Sequence, residues 1–218
     1  MTKLAHLHFT TNQEASNRIL AMGEESWRIH SVGFPAIDLI KEGNFAGKKE
    51  ICNRLHLKTD RPIVLFTQHS VTTEFEKAAD QLRPSLAAIK KIAKNGAQVI
   101  LTYPNNDAGG AQIIKLLQKF ASQKIPGVQL HRSLGRFIYH GILALAKDPA
   151  NRVVCVGNSS SGIKETPAFH CPTVNIGSRQ KGRLRGCNVL DVPYNKEKIL
   201  LAIQKCFIDE KFRKKSIS

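Results

Sequence analysis

Residues Val153-Val154-Cys155-Val156-Gly157-Asn158-Ser159-Ser160-Ser161-Gly162 decide the fold class of this chain. Four apolar residues are followed at once by glycine and a run of small polar residues. An apolar run of this length, ended by glycine, predicts a strand that is buried on both faces. The polar run after it predicts a turn that leads into a helix. Strand–turn–helix units of this kind build parallel sheets covered by helices.

The same alternation extends to both sides of this stretch. Together with the strand at 153–156, strands are predicted at residues 61–67, 97–103, 128–131, 173–176 and 188–192. Between them, apolar residues at three- and four-residue steps predict helices at 74–95, 107–123, 136–146, 160–169 and 196–207. Pro84 is expected to kink or divide the first of these helices. The pattern predicts an α/β fold, a Rossmann-like parallel sheet with helices on both faces, over residues 46–210.

The two ends of the chain fit this alternation poorly. Strands at 4–9 and 29–32 and a helix at 11–22 are expected, followed by a loose connection around 42–49. These elements are too few for a full sheet, so residues 1–45 are interpreted as the remnant of another domain. An unpartnered remnant would expose a large apolar face. Residues 211–218 are expected to form a solvated basic tail.

Composition limits the possible functions. Apolar residues make up 42% of the 218 residues, which excludes wholesale disorder. The 33 Lys and Arg residues outnumber the 17 Asp and Glu residues, and the net charge of +16 indicates an anionic partner. Aromatic residues are only 6%, which argues against nucleic acid as that partner. No apolar run approaches the roughly 20 residues of a spanning helix, so no membrane partner and a cytoplasmic location are expected. Five cysteines without a Cys-x-x-Cys pair indicate neither disulfides nor a metal site.

Polar loops follow five of the predicted strands, at 67–74, 103–110, 131–135, 157–165 and 175–185. Because ligands of parallel sheets bind beyond the carboxyl ends of the strands, these loops together predict a nucleotide-sized ligand. Free N–H groups beside Ser159 and Ser160 suit phosphate oxygens, and Glu165 can accept hydrogen bonds from ribose hydroxyls. The alternative is a simple helix cap. Arg179 begins a run of alternating cations that suits a diphosphate, or is a solvated charged segment.

The segments 67–73, 104–109, 157–165 and 175–183 resemble the hydrolysing UDP-N-acetylglucosamine 2-epimerases of the sialic- and legionaminic-acid branch. The likeness runs from Thr2 to Phe207. It implies a GT-B-type fold of two Rossmann-like domains, of which this chain resembles the second together with the end of the first. The chain departs from the family pattern at His170, where glycine is usual, and at Cys187, where a small residue such as alanine is usual.

The resemblance also implies roles for individual residues. His69 corresponds to the active-site histidine near the diphosphate. The backbone of Ser133 and Leu134 would face uracil. The UDP-binding residues implied are Asn105, Ser133, Leu134, Ser159, Ser160, Glu165 and Arg179. The two serines would contact phosphate, and Glu165 would bind the ribose. No cofactor and no metal are implied.

The implied reaction removes the proton from carbon two of the sugar while UDP departs, and then adds water to give N-acetylmannosamine. The acidic catalytic residues would lie in the missing first domain, so the chain alone is expected to be inactive. One hypothesis is an enzyme completed by a chain that supplies the first domain, or by a homo-oligomer. The alternatives are a non-catalytic UDP-binding remnant and an epimerase of a diacetylated UDP-sugar. A nucleic-acid-binding module is the weakest hypothesis.

Overall fold

The chain divides into two compact units, Met1–Asn44 and Phe45–Ser218. The computed structural model describes residues 2–216, so Met1 and the last two residues of the predicted tail lie outside the described residues. Within the described range, no helix is both long enough and apolar enough to cross a membrane.

The first unit contains a small parallel sheet. Its elements are β1 (His8–Thr10), α1 (Gln13–Ala21), β2 (Ile29–Ser31) and α2 (Ala36–Lys41). The two strands pair in parallel, and α1 connects them. Asn12 caps α1, because its side-chain oxygen accepts a hydrogen bond from the Ala15 N–H at 2.8 Å. Large apolar side chains of this unit are exposed, among them Leu4, Phe9 and Trp27.

The second unit is a six-stranded parallel sheet with helices. Its strands are β3 (Ile63–Thr67), β4 (Gln98–Thr102), β5 (Val128–His131), β6 (Val153–Gly157), β7 (Thr173–Ile176) and β8 (Val189–Val192). Its helices are α3 (Lys48–Leu55), α4 (Ala78–Lys94), α5 (Gly110–Ala121), α6 (Gly135–Ala144), α7 (Ser161–Lys164), α8 (Lys196–Ile208) and α9 (Glu210–Lys215). The strand order is β5-β4-β3-β6-β7-β8, with every neighbouring pair parallel. The predicted fold class is confirmed.

The core lies on both faces of this sheet. Every residue of β3, β4, β6 and β7 is buried, as the near-continuous apolar runs predicted. Val64 and Phe66 of β3 share one cluster with apolar residues of α4, α5 and α8. Successive side chains of a strand point to opposite faces, so Leu65 faces the other side of the sheet. The bounds of these six strands differ from the predicted ones by at most two residues, whereas the strand expected at 4–9 in the first unit begins only at His8.

Some local expectations differ from the structure. The helix predicted at 74–95 is divided before Ala78, where a 3-10 turn (Thr72–Lys77) ends, and α4 then runs through Pro84 without interruption. The buried apolar face of α4 compensates for the one backbone hydrogen bond that proline cannot make. The loose connection expected around 42–49 is found at residues 42–47, which form neither helix nor strand, but α3, which was not predicted, begins at Lys48; its only buried residues are Ile51 and Leu55.

The expectation of a solvated basic tail is wrong over residues 211–215. Residues 210–215 form α9, in which Phe212 is buried. The Arg213 guanidinium donates a hydrogen bond to the Asn151 carbonyl oxygen at 3.2 Å. Phe212, a single apolar residue among lysines and arginines, was the sign in the sequence that this segment packs against the sheet unit. Its burial holds the segment there.

We expect Gly157→Ala to destabilise the sheet unit by about 3 kcal/mol or more, because an added Cβ would lie 1.9 Å from the Thr67 carbonyl oxygen. Gly182→Ala is the matched control, since Gly182 also has a positive φ but no atom within 4 Å of its added Cβ. The loss of stability in that control measures the cost of placing alanine at a positive φ without any steric overlap, about 1 kcal/mol. Urea unfolding of both variants checks the difference, and equal losses would contradict it.

Candidate functional site at the carboxyl ends of the strands

The strand order of the sheet reverses between β3 and β6. Loops that leave two such strands pass to opposite faces of the sheet, and a crevice opens between them at the carboxyl ends. Here the two loops begin at Gln68 and Asn158. The crevice therefore lies between the His69 loop and the serine-rich loop.

Asn158 joins the two loops. Its side-chain oxygen accepts a hydrogen bond from the His69 N–H at 2.7 Å, and its side-chain amide donates to the His69 carbonyl oxygen at 2.9 Å. Its own backbone oxygen accepts from the Arg179 Nη1 at 3.1 Å and from the Gln180 Nε2 at 2.7 Å. Three loops thus meet at one buried asparagine. Sequence reasoning did not select Asn158, although a polar side chain directly after a buried strand was a usable signal.

His69 is held by Asn105. The Nδ1 of His69 accepts a hydrogen bond from the Asn105 N–H at 3.0 Å. The Asn105 side-chain amide donates to Asp107 Oδ2 at 2.6 Å. Nδ1 also lies 3.2 Å from the Asn105 side-chain oxygen, but the backbone N–H can only donate, so the shorter contact is a hydrogen bond when the hydrogen of the neutral ring lies on Nε2. Burial, and then the positive charge of Arg179, lower the pKa of His69 to about 4. The ring is therefore a neutral donor at pH 7.

Arg179 supplies the positive charge of the crevice. Its Nη2 lies 3.8 Å from Asp107 Oδ2, beyond ordinary hydrogen-bond distance. Burial lowers the pKa of Arg179, and the neighbouring Asp107 opposes that shift, but a guanidinium stays charged at any pH that proteins tolerate. The cation is thus incompletely compensated, which favours an anionic ligand beside it. Asp107 is a second residue that sequence reasoning did not select.

The two serines of the site have different partners. Ser159 Oγ lies 3.0 Å from Ser161 Oγ. The Ser161 hydroxyl in turn lies 2.6 Å from the hydroxyl of Tyr139 on α6. Ser160 is the residue before α7, and its carbonyl oxygen accepts from backbone N–H groups of that helix. Both serines are half-buried. Hydroxyl groups and helix-start N–H groups are donors suited to phosphate oxygens.

Glu165 directly follows α7. Its Oε2 accepts a hydrogen bond from the Nε2 of His140 at 2.8 Å, and His140 lies on α6. Ser133 and Leu134 directly precede α6, and the Ser133 hydroxyl accepts from the Gly135 N–H at 3.2 Å. The helix α6 thus links the loop after β5 to the carboxylate after α7.

The structure brings His69, Asn105 and Arg179 together around Asn158 and Asp107. Ser159 and Glu165 are instead connected to α6. Among residues 2–216, no hydrogen bond or ion pair joins Ser133 or Leu134 to His69. In the same range, no group of three His, Cys, Asp or Glu side chains is placed to hold a metal ion. The ligand-binding roles of these residues remain predictions.

The sequence and the fold were compared with known proteins. Residues 1–217 match the family described as UDP-N-acetylglucosamine 2-epimerase. The GDP/UDP-N,N'-diacetylbacillosamine 2-epimerase (hydrolyzing) of Campylobacter jejuni is 35% identical over 195 residues, which cover 89% of this chain and 49% of the relative. The UDP-N-acetylglucosamine 2-epimerase of Neisseria meningitidis serogroup B is 33% identical over 211 residues, which cover 94% of this chain and 51% of the relative.

Solved structures show the same fold. A UDP-GlcNAc 2-epimerase from Neisseria meningitidis bound to UDP-GlcNAc aligns with a TM-score of 0.72 at 15% identity, over 100% of this chain and 57% of that chain. The S. aureus MnaA–UDP co-structure aligns with a TM-score of 0.69 at 20% identity, over 100% of this chain and 54% of that chain. At such identities the likeness establishes the fold alone.

The chain spans about half the length of the curated relatives that it matches. The family match, by contrast, runs through both units of the chain. The resemblance inferred from the strand-end loops is therefore confirmed, and the chain belongs to the UDP-N-acetylglucosamine 2-epimerase family.

Proposed function

We propose that this chain forms the UDP-binding half of a hydrolysing UDP-N-acetylglucosamine 2-epimerase. The observation that carries the proposal is the crevice at the reversal of strand order, where Asn158 holds a neutral His69 and an incompletely compensated Arg179 together. A diphosphate supplies the negative charge that this crevice lacks. The whole enzyme would convert UDP-N-acetylglucosamine and water to N-acetylmannosamine and UDP.

Each part of UDP has a matching group in the proposal. The backbone of Ser133 and Leu134 faces uracil, Glu165 accepts from the ribose hydroxyls, and Ser159, Ser160 and Arg179 contact the phosphates, with Asn105 lining the site. These groups would position the leaving group before any bond breaks.

His69 acts on the leaving group. As the bond between carbon one and the UDP oxygen breaks, the electron pair of that bond passes to the diphosphate. A neutral imidazole would donate its Nε2–H to a diphosphate oxygen, and the Arg179 guanidinium, whose charge acts on His69, would share the new charge. Donors that are already in place stabilise such developing charge without reorganisation.

Proton removal at carbon two needs a base that the described site does not offer. Of the carboxylates in its loops, Glu165 is assigned to the ribose, and Asp107 and Glu74 accept hydrogen bonds from neighbouring side-chain amides. We propose that the base, and the acid that completes the addition of water, come from the other half of the family fold. A chain that supplies the first domain, or a second copy of the enzyme, would provide them. The exposed apolar side chains of the first unit support a protein partner.

A second candidate substrate is a diacetylated UDP-sugar. Relatives from Campylobacter jejuni and Legionella pneumophila, at 35% and 30% identity, carry the name diacetylbacillosamine 2-epimerase. Parallel assays of both sugars with the complete enzyme would separate the two candidates. The cytoplasmic location stays a prediction from the sequence.

Arg179→Ala should weaken UDP binding by roughly tenfold or more, because a charge-assisted contact to the diphosphate is lost. Arg61→Ala is the matched control, since Arg61 is exposed and lies just before β3, at the opposite end of the sheet. Calorimetric titration with UDP measures both. Unchanged affinity in the Arg179 variant would refute the assignment.

The ring of His69 should stay neutral from pH 8 to about pH 5 and titrate near pH 4, against an ordinary pKa of 6.5. Its contribution to the free energy of unfolding should therefore fall as pH drops from about 6.5 to about 4, since only the unfolded chain takes up the proton there. Arg179→Ala should raise the pKa of His69 but leave it below 6.5, because burial is the larger cause. NMR titration of the imidazole measures this, and a pKa near 6.5 in the unsubstituted chain would contradict the proposal.

The purified 218-residue chain should bind UDP without turning over UDP-N-acetylglucosamine. General acid and base groups contribute typically about 10²–10⁴-fold each, so the absence of both would bring the rate below detection. The assay follows released UDP and N-acetylmannosamine, with and without the N-terminal half of a relative added in trans. Turnover by the chain alone, abolished by His69→Ala, would show that the catalytic acids lie within these residues. Failure of every complementing half would favour the non-catalytic remnant.

A further inference from the structure

A buried histidine lies beneath the proposed ribose site. His140 is only 2% exposed, and its imidazole donates a hydrogen bond from Nε2 to Glu165 Oε2 at 2.8 Å. Within residues 2–216, its Nδ1 has no hydrogen-bond partner. Burial of a half-satisfied imidazole costs free energy that an apolar side chain would not. The position therefore suits a specific task better than core packing.

The imidazole of His140 is fixed in orientation. Its ring packs against the ring of Phe169, with the centroids 5.3 Å apart, and Phe169 is itself fully buried. Because Nε2 faces a carboxylate oxygen, the ring hydrogen lies on that nitrogen. The N–H bond accordingly points at Glu165 in a direction that the surrounding core sets.

The Glu165 carboxylate is held by His140 at one of its two oxygens. The hydrogen bond occupies Oε2, and Oε1 takes no part in that contact. The side chain is 16% exposed, so the carboxylate is reachable from solvent although its partner is not. A carboxylate held in this way loses less rotational freedom when it binds a ligand.

The helix that carries His140 also begins at the loop proposed to face uracil. Leu134 is the residue before α6, and His140 lies less than two turns further along the same helix. A single rigid element therefore sets the distance between the base-facing backbone and the support of the acid.

We propose that His140 is a positioning residue: it holds Glu165 so that this carboxylate accepts hydrogen bonds from the two vicinal hydroxyls of a UDP ribose. The proposal rests on the proposed function, because it takes UDP as the ligand. The residue acts through Glu165 and does not itself contact the nucleotide. Its effect is therefore confined to the part of the affinity that the ribose hydroxyls supply.

The test compares UDP with 2',3'-dideoxy-UDP, which lacks both hydroxyls, by calorimetric titration. The unsubstituted chain should prefer UDP by roughly tenfold or more, the range expected for hydrogen bonds to a charged group. His140→Leu should lose most of this preference while its affinity for the dideoxy analogue stays nearly unchanged. His140→Gln should keep most of the preference, because its side-chain amide can donate to Glu165 in place of the imidazole.

Ile142→Ala is the matched control for core damage, since Ile142 is fully buried on the same helix and apolar. It should lower stability and keep the preference for UDP. If His140→Leu does not fold, the comparison of His140→Gln with Glu165→Gln replaces it: only the Glu165 variant should lose the preference.

Two results would overturn this inference and leave the proposed function standing. One is a His140→Leu chain that prefers UDP as strongly as the unsubstituted chain does. The other is an equal loss of affinity for both nucleotides, which would show a merely structural role. In the replacement comparison, an equal loss of preference in both glutamine variants would also count against it. An unsubstituted chain that binds neither nucleotide would instead overturn the proposed function, and this inference with it.

Discussion

The parallel pairing of β3 with β6 is the constraint on which the rest of the sheet unit depends. The register places Thr67 opposite Gly157, and the Thr67 carbonyl oxygen accepts the N–H of Asn158 at 3.1 Å. Only glycine allows this approach, because any Cβ at position 157 would overlap that oxygen. The close approach sets Asn158 where it can bond to both backbone groups of His69. The crevice is thus a direct consequence of how two strands end.

The electrostatics of the crevice follow from this geometry. One cation, Arg179, is drawn partly out of water beside a histidine whose pKa is lowered to about 4. Asp107 offsets the cation only from 3.8 Å. A site arranged in this way is short of negative charge before a ligand arrives. The net charge of +16 favours the approach of any anion, but only the arranged donors select one.

The proposed function assigns nucleotide binding and proton transfer to different halves of the family fold. The sheet unit has a continuous core of its own, and its strand-end loops hold one another through backbone and side-chain hydrogen bonds. Of the carboxylates near the crevice, Glu165 accepts a hydrogen bond from His140 through Oε2, and Asp107 accepts one from Asn105. A half that grips the leaving group and a half that moves protons at the sugar would have to meet around the substrate. Under that proposal, closure of the two halves would be a requirement for turnover.

The sequence by itself determined the alternation of strands and helices and the positions of the polar strand-end loops. Buried strands are apolar on both faces, so their periodicity is visible in a single sequence. The family followed from the same loops, since motifs such as 157–165 are long and ordered. The short helices α3 and α9 were not predicted. Their few buried residues, Ile51, Leu55 and Phe212, give too little helical periodicity of apolar residues to detect.

Only the tertiary structure decided which loops meet. Asn158 and His69 are 89 positions apart, and their contact exists because β6 lies beside β3 in the sheet order. The contact of His140 with Glu165 likewise depends on the path of α6 across the sheet. Hydrophobic periodicity shows that a residue is buried but not what it is buried against. A polar side chain finds its partner only when the sheet order is fixed, and strand order is a property of the whole chain.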